Sequence, residues 1–309
     1  MKYYFAPLEG VTNALFRRTY DRVIGGIDSY YSPFVTTRDG GIMKRKEKSD
    51  IEPANNPGFK LIPQLLTTDA SAFVQSSLHM EEMGYDEVNL NLGCPSGTVV
   101  PKGKGAGFLR TPDKLDRFLE EIFDRCRIQI SLKTRIGFES ADEFPRLLEI
   151  YNQYPVKELT IHLRTREEFY RGSVHEEVFQ YAYTHSKAPL CYNGDVKTVA
   201  DVRRLEETYP DLEAVMIGRG FLIDPGFIGN SGQTSDEKRA NIFLDEMCKE
   251  YCQVISGDTH VLHKMKELWN YRKDAYENGD KIFKKIRKAR SLSEYKDICY
   301  QIKSKKGEI

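Results

Sequence analysis

The sequence predicts a (β/α)8 barrel followed by a small helical domain. Eight short runs rich in β-branched and aromatic residues alternate with longer amphipathic stretches over about the first 230 residues. The turn after the first run, Ala6-Pro7-Leu8-Glu9-Gly10, lacks the GxGxxG of a doubly wound dinucleotide fold. After Asn230 the strand signal stops and only helical spacing continues.

Strands are expected at 3–7, 28–34, 60–65, 86–91, 128–134, 157–163, 188–192 and 213–217. Helices are expected near 12–24, 69–83, 112–125, 141–153, 175–186 and 197–208. Capping residues mark several starts: Thr67-Thr68-Asp69, Thr111-Pro112 and Ser140. Gly84 stands where a left-handed residue would close the second helix. The polar stretch 230–235 separates a barrel over 1–232 from a helical domain over 233–309. In that domain Ile242, Met247, Tyr251 and Ile255, then Ile282, Phe283, Ile286 and Ala289, recur at near-helical spacing. Gly257 and Gly279 divide it.

Composition narrows the function. The chain is 40% hydrophobic and 30% charged, which is globular usage, and its formal net charge is zero. Residues 233–309 carry 17 Lys/Arg against 13 Asp/Glu, so a basic tail follows an acidic body. No apolar run is long enough to span a membrane, and Pro7 and Glu9 interrupt any secretory core at the N-terminus. Six cysteines lie without framework spacing, which predicts reduced thiols and a cytoplasmic protein. Cys248 and Cys252 have helix spacing rather than the pattern of a zinc site, and no metal or obligate protein partner is expected.

In a barrel, chemistry gathers where strands end. The strand ends here bring Gln64, Asn91, Cys94, Lys133, Arg135, His162 and Arg164 toward one mouth. Asn193-Gly194-Asp195 and Gly218-Arg219-Gly220 end the last two strands, a common phosphate position in which glycine admits an anion to the backbone and arginine adds charge. Lys133 ends an apolar strand. It fits either a Schiff-base amine or a cation beside an electron-rich ring, and the amides of Gln64 and Asn193 suit a heterocycle's edge. Cys94 lies in Gly-Cys-Pro-Ser-Gly, directly after a buried strand. It is placed either as a thiolate nucleophile or as a neutral general acid. The stretch Gly103–Gly107 lacks Walker spacing and reads as a mobile loop over the site.

Taken together, the residues resemble the flavin-dependent tRNA-dihydrouridine synthases. The motifs are Ala6-Pro7-Leu8-Glu9-Gly10-Val11-Thr12, Asn91-Leu92-Gly93-Cys94-Pro95, Lys133-Thr134-Arg135, Ile161-His162-Leu163-Arg164-Thr165, Asn193-Gly194-Asp195 and Gly218-Arg219-Gly220. The resemblance implies a bound FMN, with NADPH or NADH as reductant. The backbone at Pro7, Leu8 and Glu9 and the side chains of Gln64, Lys133 and His162 would then surround the isoalloxazine. Asn193, Gly194, Asp195, Gly218 and Arg219 would hold the phosphate. It further implies hydride transfer to C6 of a uracil and protonation of C5 by Cys94, with Asn91, Arg135 and Arg164 toward the substrate. Leu8-Glu9 departs from the commoner Met-Ala or Met-Asp, at backbone contacts.

A uracil within folded tRNA must be drawn out of its stack, which requires a surface that grips the RNA. Residues 264–290 hold ten Lys/Arg and four Asp/Glu, and Lys281, Lys284, Lys285 and Lys288 share one helix face. Lys44-Arg45-Lys46-Glu47-Lys48 is a second basic stretch, read as a loop. The alternative to a tRNA enzyme is an FMN-dependent barrel dehydrogenase acting on a free pyrimidine, which would need no such tail.

Overall fold

A computed structural model describes residues 1–37, 43–228 and 237–305. The boundary expected at 232/233 lies outside the described residues. The chain separates into two units, one of Met1–Ala14, Ile27–Val196 and Arg204–Ile217, the other of Leu15–Gly26, Lys197–Arg203 and Gly218–Ile309.

The first unit contains the sheet. Its strands are β1 (Lys2–Phe5), β2 (Ser29–Tyr31), β3 (Val35–Thr36), β4 (Leu61–Ile62), β5 (Gln64–Leu66), β6 (Glu87–Leu92), β7 (Gln129–Arg135), β8 (Leu159–His162), β9 (Leu190–Asn193) and β10 (Ala214–Ile217). Every ladder is parallel, and the order is β3-β5-β6-β7-β8-β9-β10-β1-β2-β4. Ten segments make eight barrel staves. β2 and β3 are the two halves of the second stave, and β4 and β5 are those of the third. The third breaks at Pro63, which has no N–H for a ladder. Ser32 mends the seam: its N–H reaches the Ile62 carbonyl (3.1 Å), and its hydroxyl accepts from the Gln64 N–H (3.0 Å). The β2–β4 and β3–β5 pairs thus close the barrel.

Helices follow the staves. They are α1 (Ala14–Val23), α2 (Arg45–Ile51), α3 (Ala70–Glu82), α4 (Pro112–Arg125), α5 (Phe144–Tyr151), α6 (Glu176–His185), α7 (Val199–Thr208) and the short α8 (Arg219–Ile223). Their starts obey the expected chemistry. Asp69 caps α3 by accepting from the Ala72 N–H, Pro112 opens α4, and Ser140 with Glu143 forms a capping box one turn before α5. Gly84 ends the α3 turn at φ +93°. Lys44–Lys48 departs from its reading as a loop: Lys44 stands just before α2 and the rest lies on it.

At the N-terminal end of the barrel the interior turns polar. A cavity of about 430 Å³ is lined by residues that include Lys2, Lys157, Glu87 and Glu158. Glu87 pairs with Lys157 at 2.9 Å. Glu158 is buried and accepts from the hydroxyls of Tyr4 (2.9 Å) and Tyr31 (3.3 Å). Burial outweighs those two donors, and Glu87 adds repulsion, so the Glu158 carboxyl is pushed up to about 7.

The second unit carries α9 (Glu237–Val254), α10 (Asp258–Arg272), α11 (Gly279–Lys288) and α12 (Leu292–Lys305). Trp269 is its buried centre and donates to the Tyr295 hydroxyl at 2.9 Å. Arg272 is 1% exposed, gives a hydrogen bond to the Ile223 carbonyl, and lies 3.7 Å from both Asp224 and Glu237. The buried face of α9 is Ala240, Phe243, Leu244, Met247, Cys248 and Tyr251, so Ile242, expected inside, is exposed. Gly257 stands between α9 and α10, and Gly279 opens α11 where a Cβ would clash with the Lys273 carbonyl. Among the described residues no helix is long and apolar enough to cross a membrane.

The folded Glu158 holds its proton to a higher pH than the unfolded chain does. Its contribution is therefore most favourable below about pH 4.5, declines through the window up to 7, and is flat above. Equilibrium denaturation at pH 5 and pH 8 should show wild type losing on the order of 3 kcal/mol to this group alone. Glu158→Gln should flatten that slope and be the more stable protein at pH 8.

Candidate active site

The C-terminal strand ends are built on a chain of amides. On β6 and β7 side chains alternate in direction, so Asn89 and Asn91 share one face, as do Ser131 and Lys133. Asn89 donates to the Ser131 hydroxyl (3.0 Å), and its carbonyl oxygen accepts from Gln64 Nε2 (2.8 Å). The Gln64 oxygen accepts from Asn91 Nδ2 (2.6 Å). The Asn91 oxygen then accepts from the N–H groups of Gly93 (3.0 Å) and Cys94 (2.9 Å). Each amide is turned one way by its neighbour, and the end of the series is the backbone of Cys94.

The Cys94 loop is also held from beneath. The Cys94 carbonyl accepts from the Ala106 N–H at 3.0 Å. Gly105 has φ +57°, and a Cβ there would meet that same carbonyl at 2.8 Å. Gly105–Leu109 is buried, so the stretch expected to be a mobile cover is instead a seat for Cys94. The Cys94 thiol itself is half-buried. Burial lifts it above the ordinary thiol range, and Ser96 and Arg135 draw it only part of the way back. At neutral pH it is a protonated thiol.

Lys133 Nζ donates to the Asn193 side-chain oxygen at 2.9 Å, and Asn193 Nδ2 donates to the Met216 carbonyl at 2.8 Å. Burial, then the like charge of Arg135, lowers the lysine to about 8. Its polar partner is an amide rather than a carboxylate. A cation whose charge is not cancelled suits an electron-rich or anionic ring, so the donor set fits a flavin. His162 is buried beside Tyr170, with ring centroids 5.9 Å apart.

Several of the expected site residues are engaged by protein partners in the structure. Gln64 is fully buried and engaged at both ends of its amide, so it supports Asn91. The N–H and carbonyl of Leu8 are tied to Thr12, while Pro7 is half-buried and Glu9 exposed. Arg135, expected toward the substrate, reaches the carbonyls of Gly93 (2.8 Å), Thr165 (2.7 Å) and Phe169 (2.8 Å). Arg164 makes a two-pronged pair with Asp195 (3.1 and 2.7 Å) and holds the carbonyls of Arg171 and Gly172. Both guanidiniums are 1% exposed, because strand-end loops leave carbonyls that only a buried multi-donor group can satisfy. Asp195 accordingly faces an arginine. Gly194 follows Asn193 directly. Gly218 and Arg219 open the short helix Arg219–Ile223 of the second unit. Lys281, Lys284, Lys285 and Lys288 are all exposed on α11.

With this geometry in view, comparison with known proteins is decisive. A family model described as dihydrouridine synthase matches residues 4–308. The chain belongs to the dihydrouridine synthase family. It is 28% identical over 229 residues, 71% of this chain and 68% of the relative, to a probable tRNA-dihydrouridine synthase of Staphylococcus aureus. It is 25% identical to tRNA-dihydrouridine synthase B of Pasteurella multocida, over 84% of this chain and 77% of the relative. Among solved structures, an old yellow enzyme homologue from Zymomonas mobilis superposes with a TM-score of 0.52 at 12% identity, covering 72% of this chain and 86% of that one. A morphinone reductase variant in complex with tetrahydroNAD gives 0.51 at 11% identity, over 73% and 85%. These two share the barrel fold.

Within the dihydrouridine synthase barrel, Asn89, Ser131, Phe169 and Tyr170 were not singled out from sequence. The period-two spacing of Asn89 to Asn91 and of Ser131 to Lys133 carries the signal for the first two. For the pair 169–170 the sequence shows only two adjacent aromatics.

Iodoacetamide should alkylate Cys94 more slowly at pH 7 than a free thiol, with its midpoint displaced to higher pH than that of the free thiol. A midpoint at or below 7 would instead make it a thiolate nucleophile.

Proposed function

We propose that this chain reduces the 5,6 double bond of a uracil in tRNA, with FMN as its bound cofactor and NADPH or NADH as the reductant. The observation that carries the reading is a neutral thiol on an immobilised loop at the barrel mouth that also holds the uncancelled Lys133 charge. Lys133 and Asn193 would hold the flavin's polar edge, with His162 and the Pro7–Glu9 turn beside it. Gly194, Gly218 and Arg219 would take its phosphate. When bound, the flavin supplies the hydride that adds to C6.

The chain's own groups supply the rest. Asn91 fixes the backbone from which Cys94 projects, so the thiol proton is aimed without reorganisation. Cys94 releases that proton to C5 and becomes a thiolate, which water reprotonates. Arg135 and Lys133 both favour the thiolate, so the acid weakened by burial at rest is assisted as it ionises. A Schiff-base role for Lys133 is set aside, since the family's reaction forms no imine.

Residues 1–232 would carry this chemistry and 233–309 the grip on tRNA. On α11, Lys281, Lys284, Lys285 and Lys288 are exposed, while Ile286 is buried and Ile282 and Phe283 are half-buried. That row of cations favours tRNA over a free pyrimidine. Reduced thiols, with Cys252 exposed and unpaired, suit a cytoplasmic enzyme.

Cys94→Ala should retain a flavin that NAD(P)H reduces, yet lose uridine reduction on the order of 100-fold or more. Dihydrouridine formed at the wild-type rate would remove the thiol from the mechanism. Replacing the four α11 lysines with glutamine should weaken tRNA binding and flatten the slope of log K against log salt by up to about 3. An unchanged slope would move the RNA surface elsewhere.

A further inference from the structure

We infer that the ring of Phe169 is a stacking platform for an RNA base flanking the uridine that is reduced. The inference rests on the proposed function and adds a recognition residue to it.

The first ground is backbone conformation. Phe169, at φ +53°, is the sole non-glycine residue with positive φ among the described residues. A bulky side chain there is strained, and glycine would not be. The ring does not return that strain by burial, since it is 37% exposed, and Tyr170 beside it is 50% exposed. A strained, exposed aromatic points to use outside folding.

The second ground is rigidity. The Phe169 carbonyl accepts from Arg135, its N–H reaches the Arg166 carbonyl at 3.1 Å, and Arg164 grips the carbonyls of Arg171 and Gly172. Through its Nε, Arg135 also holds the Gly93 carbonyl. The loop bearing Phe169 and the loop bearing Cys94 thus share one buried guanidinium, and the platform keeps a fixed place relative to the acid.

The third ground is what lies against the ring. Arg166 stands 4.9 Å from its centroid and 5.5 Å from that of Phe138, over which Arg110 also lies at 4.1 Å. Arg166 Nη1 donates to Glu167 at 2.7 Å, while its Nε is buried without a hydrogen-bond partner and the guanidinium lies against the two rings. Arg110, Phe138, Arg166 and Phe169 form a column of alternating cations and rings that ends in an exposed aromatic. A base is the flat, electron-delocalised partner that extends such a column. Drawing a uridine from its stack leaves its neighbours unstacked, which supplies that base beside the site.

The test uses the flavin-loaded enzyme, a tRNA transcript and NAD(P)H, with Phe169→Gly and Phe169→Trp. Phe169→Gly relieves the backbone while removing the ring. Its melting temperature should equal or exceed that of wild type, while its KM for tRNA rises roughly 5- to 100-fold. Phe169→Trp should stay within about threefold of wild type for tRNA, because it restores a π-face. A glycine variant with wild-type KM for tRNA overturns the inference. So does one whose melting temperature falls in step with its activity, which would mark a structural role. A rise confined to the KM for NAD(P)H would assign the ring to the dinucleotide and also overturn it. A wild-type enzyme that leaves tRNA unreduced fells the proposed function and this inference together. An active wild type with an unaffected glycine variant fells the inference alone.

Discussion

The carboxamide of Asn91 is the constraint on which the site depends. A parallel barrel encloses its inward side chains on every side, so an amide placed there must find partners or cost about 1–3 kcal/mol. Asn91 meets that demand in two directions, donating to Gln64 and accepting from Gly93 and Cys94. Because Gln64 is oriented by Asn89, and Asn89 donates to Ser131, the direction of each amide follows from the one before. A flip of one member would set carbonyl against carbonyl or N–H against N–H down the row. The position of a loop cysteine is therefore determined inside the sheet, and its thiol inherits the rigidity of β6 and β7.

The two ends of the barrel treat charge in opposite ways. At the N-terminal end Glu87 is matched by Lys157, and Glu158 is wrapped by two tyrosine hydroxyls. That end neutralises what it buries. At the C-terminal end Lys133 has an amide for a partner and a second cation nearby, and it is held down to about 8 as a result. An imbalance of this kind costs stability, and it persists where a ligand supplies the missing electron density. The polarity of parallel staves alone does not produce the contrast. The residues chosen at each end do.

Much of the architecture was legible because it rests on local rules. Strand runs, Asp69, Ser140 with Glu143, and Gly84 act through their immediate neighbours, and the structure places them as read. The staves' internal breaks at Ser32–Phe34 and Pro63 were less visible, since a proline inside a stave is tolerated only because Ser32 repairs the seam from the next stave. On α9 the face was misread because Ile242 is apolar yet exposed, whereas the packed set centres on Phe243, Met247 and Tyr251. Lys133, Asn193 and Cys94 could be singled out because each stands at a strand end. What their partners would be was not legible: the Gln64–Asn89 bond joins different staves, and nothing in either run announces it.

Arg135 and Arg164 show why a strand-end cation is an ambiguous sign. From sequence both look like recognition groups, since an arginine at a barrel mouth is usually read as reaching outward. Yet the mouth is also where loops turn back and leave carbonyls without ladder partners, and each such carbonyl needs a donor. A guanidinium offers five donors in a rigid fork, so one residue can tie several loop carbonyls at once, as Arg135 does for Gly93, Thr165 and Phe169. Lysine, with a compact charge on a flexible stem, could not hold that geometry. The arginines therefore fix which loop stands where.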